Sequence, residues 1–267
     1  MRKIIYRTLK LGAGTVVAQI ISLVSIPIIS RIYNPAEYGH LTLILSVTAI
    51  LIPIATFRIE TLIVVSDTDE EAAELLIIST KIALWVSASL FVAIFVDYFI
   101  FKNSTFSQAF IISSLFSMVL LAQSLGVLMV QVALRAHRDA DIAKSSVMQN
   151  LAISLAQIGT GIWNPSGGVL ISSYLGGRIV GVWPLLKETR KILGKRSGDS
   201  KRIIDKYKKQ FAESSPLVLA SIIDSAILGL PIILISTQFG LKYSGYIGIT
   251  QTILTVPITL IGELLDL

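Results

Sequence analysis

The chain has 267 residues, of which 53% are hydrophobic and 15% charged, with a net charge of +6. Soluble domains carry about 25% charged residues, so a single water-soluble core is excluded and the bilayer is the better solvent for this composition. The chain contains no cysteine and only two well-separated histidines, His40 and His137. That removes a disulfide framework, a thiolate nucleophile and any metal-ligand spacing, so no metal or cofactor is expected. The basic residues flank apolar runs, which points to lipid headgroups and membrane topology and away from nucleic acid.

About 20 mostly apolar residues span a bilayer as a helix, and the sequence offers eight such runs: 9–30, 40–64, 76–99, 107–134, 144–163, 167–186, 213–236 and 245–265. The first follows a basic start, but Leu11–Ser30 is charge-free for twenty residues. That is too long for an ordinary signal-peptide core, and it reads as a retained span. After it comes Arg31-Ile32-Tyr33-Asn34-Pro35-Ala36-Glu37-Tyr38-Gly39. Asn34 suits an N-cap, Pro35 the first helical position, and Glu37 can complete a capping box. An acidic run, Asp67–Glu71, separates the second and third spans. The charge-free stretch Ser145–Gly177 is broken by Asn164-Pro165-Ser166-Gly167-Gly168, which predicts a tight turn between the fifth and sixth spans. The long polar segment from Lys187 to Lys209 divides the chain into 1–186, a six-helix bundle; 187–212, a basic loop; and 213–267, the first two helices of a second bundle.

Loop charge sets the orientation. With the N-terminus inside, seventeen of the 23 Lys and Arg residues face the cytoplasm, ten of them between Lys187 and Lys209. Only Arg31, Lys102 and Lys242 face outward, a distribution the positive-inside rule favours strongly. The last two spans echo the first two: Ile26-Pro27-Ile28-Ile29 matches Leu230-Pro231-Ile232-Ile233, and Tyr38-Gly39 matches Ser244-Gly245, at an offset of 204 to 206 residues. Repeated six-span units are a transporter signature, and a second full unit would end near residue ~410, well beyond the eighth span.

These residues carry a family resemblance. Gln19-Ile20-Ile21-Ser22-Leu23 with Pro27, the Ser30–Gly39 linker, a second span ending in Phe57-Arg58-Ile59-Glu60, and the central basic segment together resemble the polysaccharide and O-antigen flippases of the multidrug/oligosaccharidyl-lipid/polysaccharide exporter superfamily. The resemblance implies an all-α polytopic protein of the bacterial inner membrane, with two helical bundles around a central cavity that rocks between inward-open and outward-open states. It implies an undecaprenyl-diphosphate-linked oligosaccharide as substrate. The partners expected are that lipid-linked oligosaccharide, anionic membrane lipids and, as candidates, a polysaccharide polymerase and a chain-length regulator. Members of this family usually have twelve or more spans.

Ionisable residues within spans cost roughly 2.5 to 3.5 kcal/mol each on insertion scales, so they face a cavity or a partner. The substrate-cavity candidates are Arg58, Arg178 and Arg31. Guanidinium groups fit phosphate oxygens, although Arg31 also suits an interfacial anchor. Arg178 lies near mid-span and either holds a diphosphate or acidic sugar, or pairs with Asp224 at similar depth in the seventh span. Glu60, Lys81 and Asp224 are ion-pair or coupling candidates. A Glu60–Lys81 pair would leave Arg58 on nearly the opposite helix face, because two residues turn a helix by about 200°. The amides Gln19, Gln123, Gln131, Gln149, Asn150, Gln157 and Gln251 can bond sugars or one another. Walker A, Gly-x-Ser-x-Gly and His-Glu-x-x-His motifs are absent, so the chain is not expected to be an enzyme or ATP-driven by itself. Intramembrane bases outnumber acids in the first bundle, which ranks a flippase above a cation-coupled drug exporter. A membrane-embedded sugar polymerase, or a truncated remnant without activity, are the remaining alternatives.

Overall fold

The computed structural model describes residues 2–101, 105–196, 198 and 200–265, and the side-chain surroundings of 14–100, 105–196, 198, 203–207 and 216–255. The described residues form α-helices and turns with no strand. In order these are α1 (Arg2–Ile32), α2 (Pro35–Thr56), α3 (Ile59–Val65), α4 (Asp69–Val96) with a π turn (Asp97–Phe101), and α5 (Phe106–Arg135). There follow α6 (Asp139–Gly161), α7 (Gly167–Val182) with a 3-10 turn (Trp183–Leu185), α8 (Leu186–Leu193), α9 (Ser200–Gln238) and α10 (Leu241–Leu265). The protein is an all-α polytopic membrane protein, as its composition predicts.

Six helices among the described residues are long and apolar enough to cross a bilayer, against eight expected. The shortfall has two causes. One is α6, which is long enough but carries Ser145, Gln149, Asn150, Ser154, Gln157 and Thr160 along its length. The other is α10, whose described side chains end at Thr255. Helix starts follow local chemistry. Asn34 Oδ1 accepts from the Ala36 and Glu37 N–H groups at 2.8 and 3.2 Å, so α2 starts at Pro35 as the linker predicts. The carboxylate of Glu37 makes a different bond from the expected capping box, accepting from the Gly167 N–H at the start of α7. The run expected as an acidic loop is the first turn of α4. Thr68 caps it by accepting from the Glu71 N–H at 3.2 Å, and the acids sit where the helix dipole favours them.

The helices group into two compact units that interleave along the sequence: 1–43, 136–187 and 230–267 in the first, and 44–135 and 188–229 in the second. In the first unit α6 packs against both α1 and α7 through small residues. A Cβ added at Gly14 would lie 2.4 Å from Ala143 Cβ, and one at Gly177 would lie 2.2 Å from Ile153 Cγ1. Close backbone approach is how membrane helices associate where no hydrophobic force drives them together. Polar bonds add to it: Ser22 Oγ donates to Asn150 Oδ1 at 2.7 Å and Tyr33 OH to the Gln157 carbonyl at 2.9 Å. The Asn150 side chain thus bonds α1, and the Gln157 side chain donates to the Leu170 carbonyl of α7 at 3.5 Å.

The same unit holds the repeat-related contact between α2 and α10. A Cβ at Gly39 would meet the Leu241 carbonyl at 2.0 Å, and one at Gly245 would meet the Pro35 carbonyl at 1.8 Å. A Cβ at Gly248 would fall 2.2 Å from Thr42 Oγ1. Each pair is reciprocal at an offset of 206: Pro35 corresponds to Leu241, Gly39 to Gly245 and Thr42 to Gly248. The contacts thus join positions that the sequence echo relates.

The second unit has an aliphatic core of Ile59, Ile63, Leu75, Leu76, Leu128 and Val132, completed by Ile192 of α8 and by Ile203 and Tyr207 of α9. At its other end Phe91, Phe95 and Phe99 interleave with Phe106 and Phe110. The segment expected as a solvated basic loop is thus partly helical and built into this core. The helix of the seventh span begins at Ser200 rather than near 213.

Candidate functional site

The most unusual backbone lies where a continuous second span was expected. Phe57 and Arg58 both have positive φ, 50° and 55°, and they end α2 and turn the chain into α3. Left-handed non-glycine residues cost of order 1–3 kcal/mol each and persist only where the surroundings over-determine them. Here the broken end is supported from α4. Ser79 Oγ donates to the Thr56 carbonyl at 3.1 Å, while Thr61 Oγ1 donates to the Arg58 carbonyl at 2.8 Å.

The turn moves Arg58. On a regular helix it would point away from Glu60, but here its Nη1 lies 3.8 Å from Glu60 Oε1. The expected Glu60–Lys81 pair is not formed: among the described residues Lys81 is exposed and joins no ion pair. The reason is the left-handed turn, which brings the neighbouring guanidinium to the carboxylate. Glu60 is 5% exposed, and its Oε2, together with Arg58 Nε, is buried without a hydrogen-bond partner. The Arg58 side chain is 37% exposed, so a pair that leaves one donor and one acceptor unused beside a buried carboxylate has capacity for a polar ligand or for water.

Arg178, in the first unit, is half-buried on α7. Its Nε donates to Tyr174 OH at 2.9 Å and its guanidinium carbon lies 5.3 Å from the centroid of that ring. No carboxylate of its own unit pairs with it among the described residues, so its charge is held by an aromatic face and stays uncompensated. Asp224 belongs to the second unit, where it is exposed on α9 and meets no cation among the described residues. Arg31 is exposed in the last turn of α1, where a cation suits the helix C-terminus.

A second charge cluster joins the acidic start of α4 to the basic segment before and within α9. Arg135 Nη2 lies 3.4 Å from Asp69 Oδ1, and Arg135 also donates to the Ser66 carbonyl. Lys195 pairs with Asp69, Arg196 Nε lies 3.5 Å from Glu74 Oε1, and Lys206 Nζ lies 2.9 Å from Asp67 Oδ2 and pairs with Glu71. Glu74 is fully buried, and its Oε1 also accepts from the Gly198 N–H at 2.8 Å. Tyr207 OH donates to Glu71 Oε2 at 2.8 Å. Lys206 holds the Asp67 carboxyl below its usual range. Burial, with Glu71 beside it, pushes the Tyr207 phenol up to about 12.

The pH behaviour follows from these signs. The depressed Asp67 carboxyl contributes stability above its ordinary value of 3.8, lost as pH falls through the shifted value. The raised Tyr207 phenol contributes below 10.0, lost as pH climbs towards about 12. Hydrogen exchange of segment 195–207 is therefore expected to stay slow across the neutral range and to accelerate at both extremes. Glu74→Ala, which removes the shared acceptor of Arg196 and Gly198, is expected to speed trypsin cleavage after Arg196 about twofold to tenfold, since both donors are solvent-accessible and a lost hydrogen bond costs about 0.5–1.5 kcal/mol. Glu74→Gln, which keeps an acceptor, is expected to fall between the two.

Of the residues read from sequence, the structure brings Arg58 and Glu60 together and leaves Lys81, Arg31 and Asp224 outside that pair. Sequence reading missed Tyr174, although its i, i+4 spacing from Arg178 was a visible signal. It also missed Glu74 and the left-handed turn. No group of three or more metal-ligating side chains occurs among the described residues.

A family model described as "Polysaccharide biosynthesis protein" matches residues 6–263, nearly the whole chain. No curated protein and no solved structure matches.

Proposed function

The chain belongs to the polysaccharide biosynthesis protein family, and from that premise we propose that it translocates a diphosphate-linked oligosaccharide lipid across the bacterial inner membrane. The N-terminus is placed in the cytoplasm, following the loop charges. The observation that carries this reading is the incompletely bonded pair of the partly exposed Arg58 and the buried Glu60 at a break in a membrane helix. Broken helices with spare polar capacity are the typical substrate and ion sites of secondary transporters. Arg58 supplies a planar cation for phosphate oxygens. Glu60 holds that cation in place while the site is empty, and it is the group through which a proton or cation could be coupled.

Arg178, presented by Tyr174 with no acid of its own unit pairing with it among the described residues, is a separate candidate anion contact of the first unit. The reciprocal glycine contact of α2 and α10 is the element expected to open and close between states, because its two halves are related by the internal repeat. Translocation needs only binding and rearrangement, which is what this reading asks of these residues.

The test is complementation of a strain unable to move its lipid-linked oligosaccharide. Arg178→Ala at normal protein level is expected to depress surface polysaccharide about tenfold, the loss of one charge-assisted hydrogen bond worth about 1.5–3 kcal/mol. Tyr174→Phe keeps the ring under the guanidinium and removes only the hydroxyl that orients it, so a smaller drop of about twofold to fivefold is expected, because the charge itself remains in place. Unchanged polymer in Arg178→Ala would remove Arg178 from the pathway.

A further inference from the structure

Lys81 is left over from this account, and its surroundings suit a different ligand. It lines a cleft of about 300 Å³ between α4, α5 and α8 whose other walls are Leu76, Ile77, Leu125, Leu128, Met129 and Leu193, with Thr80 and Thr189 also contributing. The cleft is therefore hydrocarbon-like apart from one ammonium and two hydroxyls. Its depth follows from helix length. Asp69–Ile100 counts 32 residues, about 48 Å at a rise of about 1.5 Å, while the hydrocarbon layer is only about 30 Å thick and takes about 20 residues. Lys102 and Asn103 end the apolar stretch on one side. Twenty residues counted back from Ile100 reach Lys81, which places it at the opposite hydrocarbon boundary, on the side of the basic segment. α8 supports that level: Thr189 and Ile192 are buried while Arg190 and Lys191 are exposed, as in a helix lying at a membrane surface.

We propose that this cleft is a binding site for an anionic glycerophospholipid of the cytoplasmic leaflet, with the phosphodiester on Lys81 and an acyl chain along Leu76, Leu125, Leu128 and Met129. Charge complementarity selects this occupant. A single cation matches the single charge of a phosphodiester, and basic pockets between membrane helices on the cytoplasmic side recognise lipid headgroups. A diphosphate would bring more charge than the cleft can answer. The site is independent of Arg58 and Arg178, so its failure and the failure of the transport reading are separable.

Trp85, one turn beyond Lys81 on α4 and 76% exposed, is a built-in reporter. The full chain carrying Trp163→Phe and Trp183→Phe, reconstituted with brominated phosphatidylglycerol or brominated phosphatidylcholine, would report lipid contact through quenching of Trp85. The expected result is a preference for phosphatidylglycerol of about fivefold, the worth of about one lysine near a membrane surface, which is kept in Lys81→Arg and lost in Lys81→Gln. Equal quenching by both lipids overturns the proposal, as does a preference that survives Lys81→Gln. If undecaprenyl diphosphate relieves the quenching better than unlabelled phosphatidylglycerol does, the cleft belongs to an isoprenoid lipid and the proposal is also overturned.

Discussion

Gly245→Leu should reduce surface polysaccharide to about a tenth of the unmodified level or less, the largest loss expected from any single glycine change. A Cβ at this position lies 1.8 Å from the Pro35 carbonyl and 3.1 Å from the Gly39 nitrogen. Both are backbone atoms, so no rotamer change relieves the clash and α2 must move off α10. Overpacking a well-fitted contact costs about 1–3 kcal/mol even where side chains can give, and here they cannot. Gly176 on α7 is the control, because a Cβ there meets nothing within 4 Å, and Gly176→Leu is expected to stay close to the unmodified level.

Arg58→Ala is the second large effect. It removes the guanidinium and leaves the Glu60 carboxylate, 5% exposed, without the one cation that pairs with it among the described residues. Transport is expected to fall by about tenfold to a hundredfold, since a charge-assisted hydrogen bond to an anion contributes about 1.5–3 kcal/mol. Arg58→Lys keeps the charge but loses the planar pair of donors, so it should recover only part of the activity. Arg58→Ala combined with Glu60→Gln removes the stranded charge as well. If the single variant fails only because it unfolds, the double variant should regain protein level without regaining transport.

The helices and the site were legible from the sequence to different degrees. Span positions followed from apolar run length, and the start of α2 from Asn34 and Pro35, because these signals are local. The start of α4 was placed seven residues late because Asp69, Glu70 and Glu71 read as a loop by polarity, while the helix dipole and the Thr68 cap make them a first turn. The basic segment read as solvated for the same reason: its charges are visible in sequence, but their acidic partners lie more than 120 residues earlier. Arg58 was placed opposite Glu60 by assuming a regular helix, and nothing in Phe57-Arg58 announces two left-handed residues. Such backbone is imposed by tertiary contacts, here the Ser79 bond to Thr56. The repeat was legible because glycine at a close helix crossing leaves a trace at a fixed offset, in Gly39 and Gly245.

The central claim is that Arg58, at the break between α2 and α3, and Arg178, on α7, bind the anionic head of a lipid-linked oligosaccharide. The most direct measurement is translocation of a fluorescent undecaprenyl-diphosphate oligosaccharide in proteoliposomes, comparing the unmodified protein with one carrying Arg58→Ala and Arg178→Ala. The account predicts translocation by the first and a rate indistinguishable from protein-free vesicles for the second, at equal reconstitution. Equal rates for the two proteins would contradict it.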